Sequence, residues 1–321
     1  MAADPKSSAD RAIDELEKRV AEMRKLAAGG GVNLSDEITS LEQKLGQRKR
    51  ERSKNMTAWQ RVQIARHPKR PFTLDLIGLM GTDFVELRGD RAFADDPAVV
   101  GGFVTFGDHP VVVIGHQKGH DTKENLARNF GMPNPEGIRK GLRLMKLAEK
   151  FSLPVVTFLD TAGAFPGLAT EERGGAEAIG HTIRDMAALT VPVVACVIGE
   201  GGSGGALAFG VGDRILMFEN AYYSVISPEG CAAILYRDGG RAADVAEALK
   251  LTAKDLLALG IVDEIVPEPP GGAHLAPLAA AVTLQGAIVR ALDELRGQRG
   301  ASVVAARYRK FRAMGVLAGT A

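Results

Sequence analysis

A cluster of glycines near residue 200 contains the residues of this chain best suited to chemistry. Five of the seven residues from 199 to 205 are glycine. With no Cβ at Gly204 and Gly205, a substrate oxygen can come close to the main chain. If these glycines open a helix, their N–H groups have no intrahelical partner, and the helix dipole favours negative charge there. The pattern therefore favours a backbone site for negative charge, where a substrate oxygen would come closest to the main chain at Gly204 and Gly205. The adjoining residues expected to contact the substrate are Gly201, Gly202 and Ser203.

The same cluster is compatible with three other interpretations. The G-x-G-x-x-G spacing that begins at Gly199 matches a dinucleotide fingerprint, but an apolar strand near Arg214 leaves only a short helix for it. The G-x-S-x-G pattern around Ser203 matches the nucleophile elbow of an α/β-hydrolase or thioesterase, with His274 as the one histidine that follows it. The glycines could also simply allow a strand and a helix to pack closely.

A buried strand leads into the glycine cluster. The segment 191–198 is an apolar, β-branched run of strand length, as in strands that are covered on both faces. The order of strand, glycine-containing loop and helix occurs at 110–151, 154–189 and 191–212. This repetition predicts an α/β fold with parallel strands, in which ligands bind at the carboxyl ends of the strands.

Two more loops follow strands in this pattern. The loop at 115–123 contains Lys118 and Lys123, which could neutralise a phosphate or carboxylate or could be ordinary exposed lysines. The loop at 160–167 contains an Asp-x-x-Gly sequence similar to a GTPase switch, but the chain has no G-x-x-x-x-G-K-S/T loop, so we exclude a GTPase. The residues of the second loop expected to contact the substrate are Gly163, Ala164 and Phe165.

Composition excludes several classes of protein. The chain has 321 residues, 45% of them hydrophobic, and a formal net charge of +1, so nothing draws it as a whole to nucleic acid or to a membrane. No apolar run approaches the roughly 18 residues of a membrane span. Cys196 and Cys231 are the two cysteines, too few for a disulfide framework or a zinc finger. We expect a cytoplasmic enzyme, with Cys196 in a buried strand and no metal site.

The chain divides into three predicted parts. Residues 1–56 show apolar residues at helical spacing on either side of Gly29, Gly30 and Gly31, which predicts a helical hairpin. Its basic run at 48–54 is typical of a solvated helix face, with a phosphate-bearing ligand or RNA as the alternative. Residues 57–270 would form the catalytic domain, and residues 271–321 two long helices.

Within the predicted catalytic domain, local patterns indicate individual elements. The strands 99–106 and 110–115 flank a turn at Gly107 and predict a β-hairpin. Ser227 followed by Pro228 predicts a capped helix start. The segment 242–259 has the periodicity of one amphipathic helix ended by Gly260.

Six segments together resemble one enzyme family. They are GHQKG at 115–119, NFGMPNPEG at 129–137, DTAGAFPG at 160–167, EERG at 171–174, GEGGSGGALA at 199–208 and YSVISPEGCA at 223–232. The combination resembles the α subunits of the carboxyltransferase component of bacterial acetyl-CoA carboxylase, over essentially the whole chain. The resemblance implies a crotonase-like fold of repeated ββα units, with an N-terminal helical hairpin and C-terminal helices.

The resemblance also implies a reaction and partners. The carboxyl group would move from carboxybiotin, attached to the biotin carboxyl carrier protein, to acetyl-CoA, giving malonyl-CoA for fatty-acid synthesis. The chain would be one half of an α2β2 heterotetramer whose β subunits hold zinc, and biotin carboxylase would supply the carboxybiotin. The chain itself would bind no cofactor.

By position in the family's motif, the oxyanion-forming glycines fall on Gly204 and Gly205. These glycines would hold the ureido oxygen of biotin, and the β subunit would hold the thioester. Negative charge collects on that ureido oxygen when carboxybiotin loses its carboxyl group. The resulting biotin enolate can itself take the α-proton of acetyl-CoA, so no protein base is required. Two positions depart from the pattern that we expect: Ala162 replaces a proline and His120 an arginine.

Overall fold

The computed structural model describes residues 8–28 and 34–315. The chain separates into two compact units, Met1–Thr57 with Pro269–Gly272, and Ala58–Glu268 with Ala273–Ala321. The first unit contains two helices that pack together, α1 (Ser8–Ala28) and α2 (Ser35–Lys54). The glycines at 29–31 that were predicted to separate them lie outside the described residues.

The second unit is built on one sheet. The eight strands found in the described residues are β1 (Gly81–Glu86), β2 (Val99–Phe106), β3 (His109–His116), β4 (Val155–Thr161), β5 (Val193–Gly202), β6 (Arg214–Phe218), β7 (Tyr222–Ser224) and β8 (Glu264–Val266). Their order is β1-β2-β3-β4-β5-β6-β8, and β7 pairs with the end of β5. Strands β1 to β3 are antiparallel neighbours, whereas the pairs from β3 onward are parallel.

Helices connect and cover these strands. They are α3 (Ala58–Ala65), α4 (Thr73–Met80), α5 (Thr122–Ala127), α6 (Pro135–Phe151), α7 (Leu168–Glu172), α8 (Gly175–Ala187), α9 (Ser203–Leu207), α10 (Pro228–Tyr236), α11 (Ala242–Ala246), α12 (Ala253–Ala258), α13 (Pro277–Glu294) and α14 (Ala301–Arg312). None of the helices within residues 8–28 and 34–315 is both long enough and apolar enough to cross a bilayer.

The repeated strand–loop–helix pattern is confirmed. Strands β3, β4 and β5 are parallel neighbours. A glycine-containing loop and a helix follow β3 and β4, and β5 passes directly from its terminal glycines into α9. Every residue of β4 and β5 is buried, as expected for central strands covered on both faces. Cys196 lies in β5 and is 1% exposed, and burial raises the pKa of its thiol. The predicted hairpin is present as β2 and β3, with Gly107 at φ 58° in its turn.

The structure corrects two local predictions and adds one strand. The central strand continues through the first glycines to Gly202, instead of ending at Ile198. The edge strand β1 was not predicted, since its residues lack a regular apolar alternation. The single helix expected over 242–259 is two helices, α11 and α12. The first ends at Ala246. Lys250, in the turn that follows, has a φ of 51°, and Thr252 then caps α12 by accepting a hydrogen bond from a backbone N–H.

A buried arginine attaches the C-terminal helix α14 to the start of β5. Arg307 is 1% exposed and donates hydrogen bonds of 2.9 Å to the carbonyls of Met186, Leu189 and Val191. Its guanidinium also binds both carboxylate oxygens of Asp213, at 3.0 and 2.6 Å. This one side chain thus provides hydrogen-bond donors for the backbone carbonyls where the chain passes from α8 into the central strand.

Candidate functional site

The turn from β5 into α9 has the form that the glycine cluster predicts. Strand β5 ends at Gly202, and Ser203 begins α9 with a left-handed φ of 50°. No side chain caps the start of α9, and the N–H groups of its first turn have no acceptor within the helix. Ser203 is exposed, Gly204 is half-buried and Gly205 is buried. The main-chain donors therefore lie at a boundary between core and solvent.

The loop after β4 lies directly against this turn. A Cβ on Gly202 would fall 2.1 Å from the Ala162 carbonyl oxygen, and one on Gly205 would fall 2.5 Å from the Ala164 nitrogen. Both contacts are with backbone, so no rotamer change could relieve them. The structure thus brings the residues predicted in the two loops into one site, and Gly163 faces Ser203 across it. Close packing is one physical reason for glycine at 202 and 205.

The third residue predicted in the β4 loop, Phe165, fixes the loop's outer end. Its backbone N–H donates to the Pro133 carbonyl at 3.1 Å. Its ring packs on Gly167, where a Cβ would fall 2.5 Å from a ring carbon. The Phe165 ring is half-buried, so one part of it faces solvent beside the loop.

An apolar cavity opens beside the glycine turn. It has a volume of about 380 Å³ and is bordered by Ser203 and Gly204. Its other lining residues are Leu207, Tyr223, Ser224, Val225, Leu249, Lys250, Leu256, Leu259 and Ile261. A half-buried main-chain donor thus lies at the wall of a cavity that otherwise offers mainly hydrocarbon. Such a cavity suits a small ring system carrying one strong acceptor oxygen.

Lys118 lies on the interior side of the glycine turn, in a buried ion-pair network. Its Nζ donates to Asp160 Oδ1 and to Glu200 Oε1, each at 2.7 Å. The Glu200 backbone N–H also donates to Asp160 Oδ1, at 2.9 Å. The two carboxylates outweigh burial and raise the pKa of Lys118. Lys118 therefore joins the carboxyl ends of β3, β4 and β5, with its charge directed to these two acids.

Arg66 extends the network outward from Glu200, and sequence patterns did not identify it. Its Nε donates to Glu200 Oε2 at 2.6 Å, and it also pairs with Glu229. The Tyr222 hydroxyl donates to the same Glu200 oxygen at 2.7 Å. Burial by itself would raise the pKa of Glu200. The positive charges of Lys118 and Arg66 have the larger effect and lower this pKa to about 2. Glu200 is therefore ionised at neutral pH.

The remaining positions singled out in the sequence lie elsewhere. Lys123 is exposed on α5. The His120 ring stacks on Phe72, and its Nε2 lies 2.8 Å from Asp75 Oδ2. His274 stacks on His67 with a centroid distance of 3.9 Å.

A hydrolase would need a histidine hydrogen bonded to Ser203. Within residues 8–28 and 34–315, no histidine ring is hydrogen bonded to the Ser203 hydroxyl. The nucleophile-elbow interpretation therefore lacks its general base. The same part of the chain contains no group of three or more His, Cys, Asp or Glu side chains arranged as metal ligands.

Comparison with known proteins identifies the family. Residues 7–315 match the family described as acetyl co-enzyme A carboxylase carboxyltransferase-like. The chain is 55% identical over 309 residues to the acetyl-coenzyme A carboxylase carboxyl transferase subunit alpha of Thermus thermophilus, covering 96% of this chain and 98% of that one. The subunit alpha of Geobacter metallireducens is 54% identical over 305 residues, covering 95% and 96%. The chain belongs to this family of carboxyltransferase α subunits.

Solved structures agree on the fold of this family member. A transcarboxylase 12S structure has a TM-score of 0.59 at 18% identity, covering 73% of this chain, which spans only 44% of that longer chain. A Pseudomonas malonate decarboxylase hetero-tetramer in complex with coenzyme A has a TM-score of 0.55 at 16% identity, covering 66% and 85%. The predicted crotonase-like α/β fold is confirmed. As a carboxyltransferase α subunit, the chain is one part of a multi-subunit enzyme.

Proposed function

We propose that this chain is the half of an acetyl-CoA carboxyltransferase that holds the biotin ureido oxygen during transfer of a carboxyl group to acetyl-CoA. One observation carries the proposal: the first turn of α9, which contains Gly204 and Gly205, has no capping side chain, and Ser203 and Gly204 border an open apolar cavity there. The family membership supplies the substrates, carboxybiotin and acetyl-CoA. The uncapped turn beside the cavity supports the choice of this place for the developing charge.

The chemistry requires stabilisation of oxygen anions. When carboxybiotin gives up its carboxyl group, the electron pair of the N–CO2 bond moves into the ureido group and charge collects on its oxygen. Preorganised N–H donors stabilise such an oxygen by about 3–4 kcal/mol each, as judged from the loss of single donors in other enzymes. The biotin enolate then accepts the α-proton of acetyl-CoA, and the resulting carbanion attacks the carbon of the released CO2, which forms the new C–C bond of malonyl-CoA. Gly204 and Gly205 are the catalytic groups that this chain contributes.

The cavity beside Gly204 would take the fused rings of biotin. Its volume of about 380 Å³ is enough for a small bicycle, and its leucine and isoleucine walls suit the apolar thioether ring, with the ureido ring toward Gly204. Gly201, Gly202 and Ser203 would contact the bound group from the β5 side, and Gly163, Ala164 and Phe165 from the β4 loop. The closeness of Gly205 to Ala164, described above, supports a shared wall.

The second half of the active site would come from a β subunit, in an α2β2 assembly. Exposed apolar side chains that follow β7 support a protein partner on this side: Val225 is 80% exposed, Ile234 72% and Leu235 63%. We assign the zinc to the β subunit, as the family resemblance implies. The biotin carboxyl carrier protein would deliver carboxybiotin that biotin carboxylase has formed.

Charged groups near the site would take different roles. Lys123 is exposed and is our candidate for contact with a coenzyme A phosphate. Lys118 was predicted to bind the substrate directly. Because its ammonium is held by Asp160 and Glu200, we propose that it stabilises the site from the protein interior and does not contact the substrate. The cytoplasmic location expected from the two unpaired cysteines stays a prediction.

Reconstitution tests the proposal. The purified chain should form no malonyl-CoA from acetyl-CoA and carboxybiotin, and adding the β subunit should restore the reaction. As a control, the β subunit alone should be equally inactive. Malonyl-CoA formation by the chain alone at the rate of the mixture would show that the site is complete within one polypeptide and would refute the shared active site.

A further inference from the structure

The ring of His116 connects the glycine turn to the sheet beneath it. His116 is the last residue of β3 and is completely buried. Its Nε2 lies 3.2 Å from the Gly205 carbonyl oxygen, although 89 positions separate the two residues. The ring also packs against Phe209, with a centroid distance of 5.2 Å. His116 is therefore fixed in place and reaches the backbone of α9 from inside the protein.

The Gly205 carbonyl needs this donor because α9 is so short. In a longer helix it would accept the N–H of Phe209. Here the helix ends at Leu207, and the Phe209 N–H bonds instead to the Ala206 carbonyl at 3.1 Å. A buried carbonyl without a donor costs about 1–3 kcal/mol. The His116 ring replaces the missing helical hydrogen bond.

The partners of the ring determine which nitrogen carries the proton. The Asp160 backbone N–H is directed at His116 Nδ1 at 3.4 Å, which favours Nδ1 as the acceptor. Nε2 then carries the hydrogen and donates to Gly205. The opposite tautomer would direct the Nε2 lone pair at the Gly205 carbonyl oxygen. Burial, together with the nearby Lys118 charge, lowers the pKa of His116 to about 4, so the ring is neutral at physiological pH.

We propose that His116 is a positioning residue for carboxyl transfer, whose Nε2–H bond to Gly205 sets the orientation of the first turn of α9. That turn contains the Gly204 and Gly205 N–H groups, so a rotation of α9 would misdirect both donors. The inference rests on the proposed function, because positioning matters only if these amides bind the reacting oxygen. His116 itself lies below the turn and contacts neither cavity nor solvent.

Two substitutions of similar size and polarity separate the two hydrogen bonds of the ring. In His116→Gln the side-chain amide nitrogen can occupy the place of Nε2 and keep the bond to Gly205. In His116→Asn the amide oxygen can occupy the place of Nδ1 and keep the bond to Asp160, but nothing reaches Gly205. Each variant loses one buried hydrogen bond, so both should unfold at a similarly lowered temperature.

Their kinetics should differ. With the β subunit present, we expect kcat of His116→Gln to stay within about threefold of the wild type. That of His116→Asn should fall by about 30-fold, since displacement of reacting groups by about 1 Å can cost 100-fold. The KM for acetyl-CoA should change less than about twofold in both, because the thioester lies in the partner's half. Equal kcat values in the two variants would overturn the proposal.

A measurement on the unmodified protein decides the question even if a variant does not fold. In the α–β complex with 15N-labelled histidine, the NMR shifts should show one ring with a protonated Nε2 and an unprotonated Nδ1. This ring should not titrate between pH 5 and 8. Its signals are assigned to His116 by their loss in a His116 variant or by contact with Phe209. The Nδ1–H tautomer would overturn the inference. Wild-type activity in the reconstituted complex is measured separately, so a failure of the proposed function would be seen as an inactive wild type.

Discussion

Replacing Gly205 by alanine perturbs the site at its tightest point. The new Cβ would lie 2.5 Å from both the Ala164 nitrogen and the Gly163 carbonyl carbon, and 2.9 Å from the Gly163 carbonyl oxygen. These are backbone atoms of the β4 loop, which is itself held through the hydrogen bond from the Thr161 hydroxyl to the Gly163 carbonyl at 2.8 Å. Either this loop or the first turn of α9 must move.

The size of the movement sets the expected loss of rate. Ordinary contact begins near 3.4 Å, so the backbone must separate by roughly 1 Å. Misplacement of catalytic groups by about 1 Å can cost 100-fold in rate, and complete loss of one oxyanion donor costs about 100- to 1,000-fold. We therefore expect Gly205→Ala to lower kcat by about 100-fold or more. The larger side chain of Gly205→Val should lower it further.

The assay is malonyl-CoA formation by the variant mixed with the β subunit, with complex formation checked separately. Gly180→Ala is the matched control, because Gly180 lies on α8 and a Cβ there would meet no atom within 4 Å. That control should keep wild-type kcat and gain up to about 1 kcal/mol in stability. If Gly205→Ala assembled normally and turned over at the wild-type rate, the proposed role of this turn would be wrong.

Three other predictions concern the serine, a buried ion pair and acid stability. Ser203→Ala should keep kcat within about threefold, and fluorophosphonate should not label the wild type, whereas loss of a serine nucleophile would cost on the order of a millionfold. Arg307→Met should lower the free energy of unfolding in urea by about 3–5 kcal/mol, because it leaves the Asp213 carboxylate buried without its partner. The pKa of Glu200 is lowered from 4.5 to about 2 in the folded chain. Its stabilising contribution is therefore complete above pH 4.5 and is lost as the pH falls toward 2. Glu200→Gln should accordingly lose less stability over that range than the wild type, and an equal loss would contradict this assignment.

Local patterns were sufficient for much of the fold. The apolar run before the glycines predicted the central strand β5. The order of strand, loop and helix, which also occurs at 110–151 and 154–189, predicted the parallel arrangement. Ser227 caps α10 by accepting the Gly230 N–H, as the Ser-Pro pair indicated. In each case the signal lies within a few consecutive residues. Short-range chemistry therefore determines these elements.

The missed elements depend on contacts between distant residues. Between the two helices found at 242–259, Lys250 has a left-handed φ and Thr252 forms a β-bridge with Tyr222, a long-range contact that helical periodicity does not reveal. The edge strand β1 contains Asp83 with a φ of 56° and an irregular register with β2, so it lacks a clear period of two.

The same limit applies to the site. The family motifs indicated the two glycine-containing segments after β4 and at the end of β5, and in the structure these two segments lie against each other. The supports beneath them carry no local signature: Arg66 reaches Glu200 across 134 positions, and His116 reaches Gly205 across 89. The loop position of Lys118 suggested a ligand contact, whereas its surroundings include two buried carboxylates that only the folded chain brings together.

The most direct test of the account is a crystal structure of the chain with its β subunit and bound biotin. We expect the ureido oxygen to lie about 2.7–3.1 Å from the Gly204 and Gly205 nitrogens, with the rings in the cavity beside α9. Biotin bound elsewhere, with these two amides bonded to carbonyl groups of the chain itself, would contradict the claim that they stabilise the reacting oxygen.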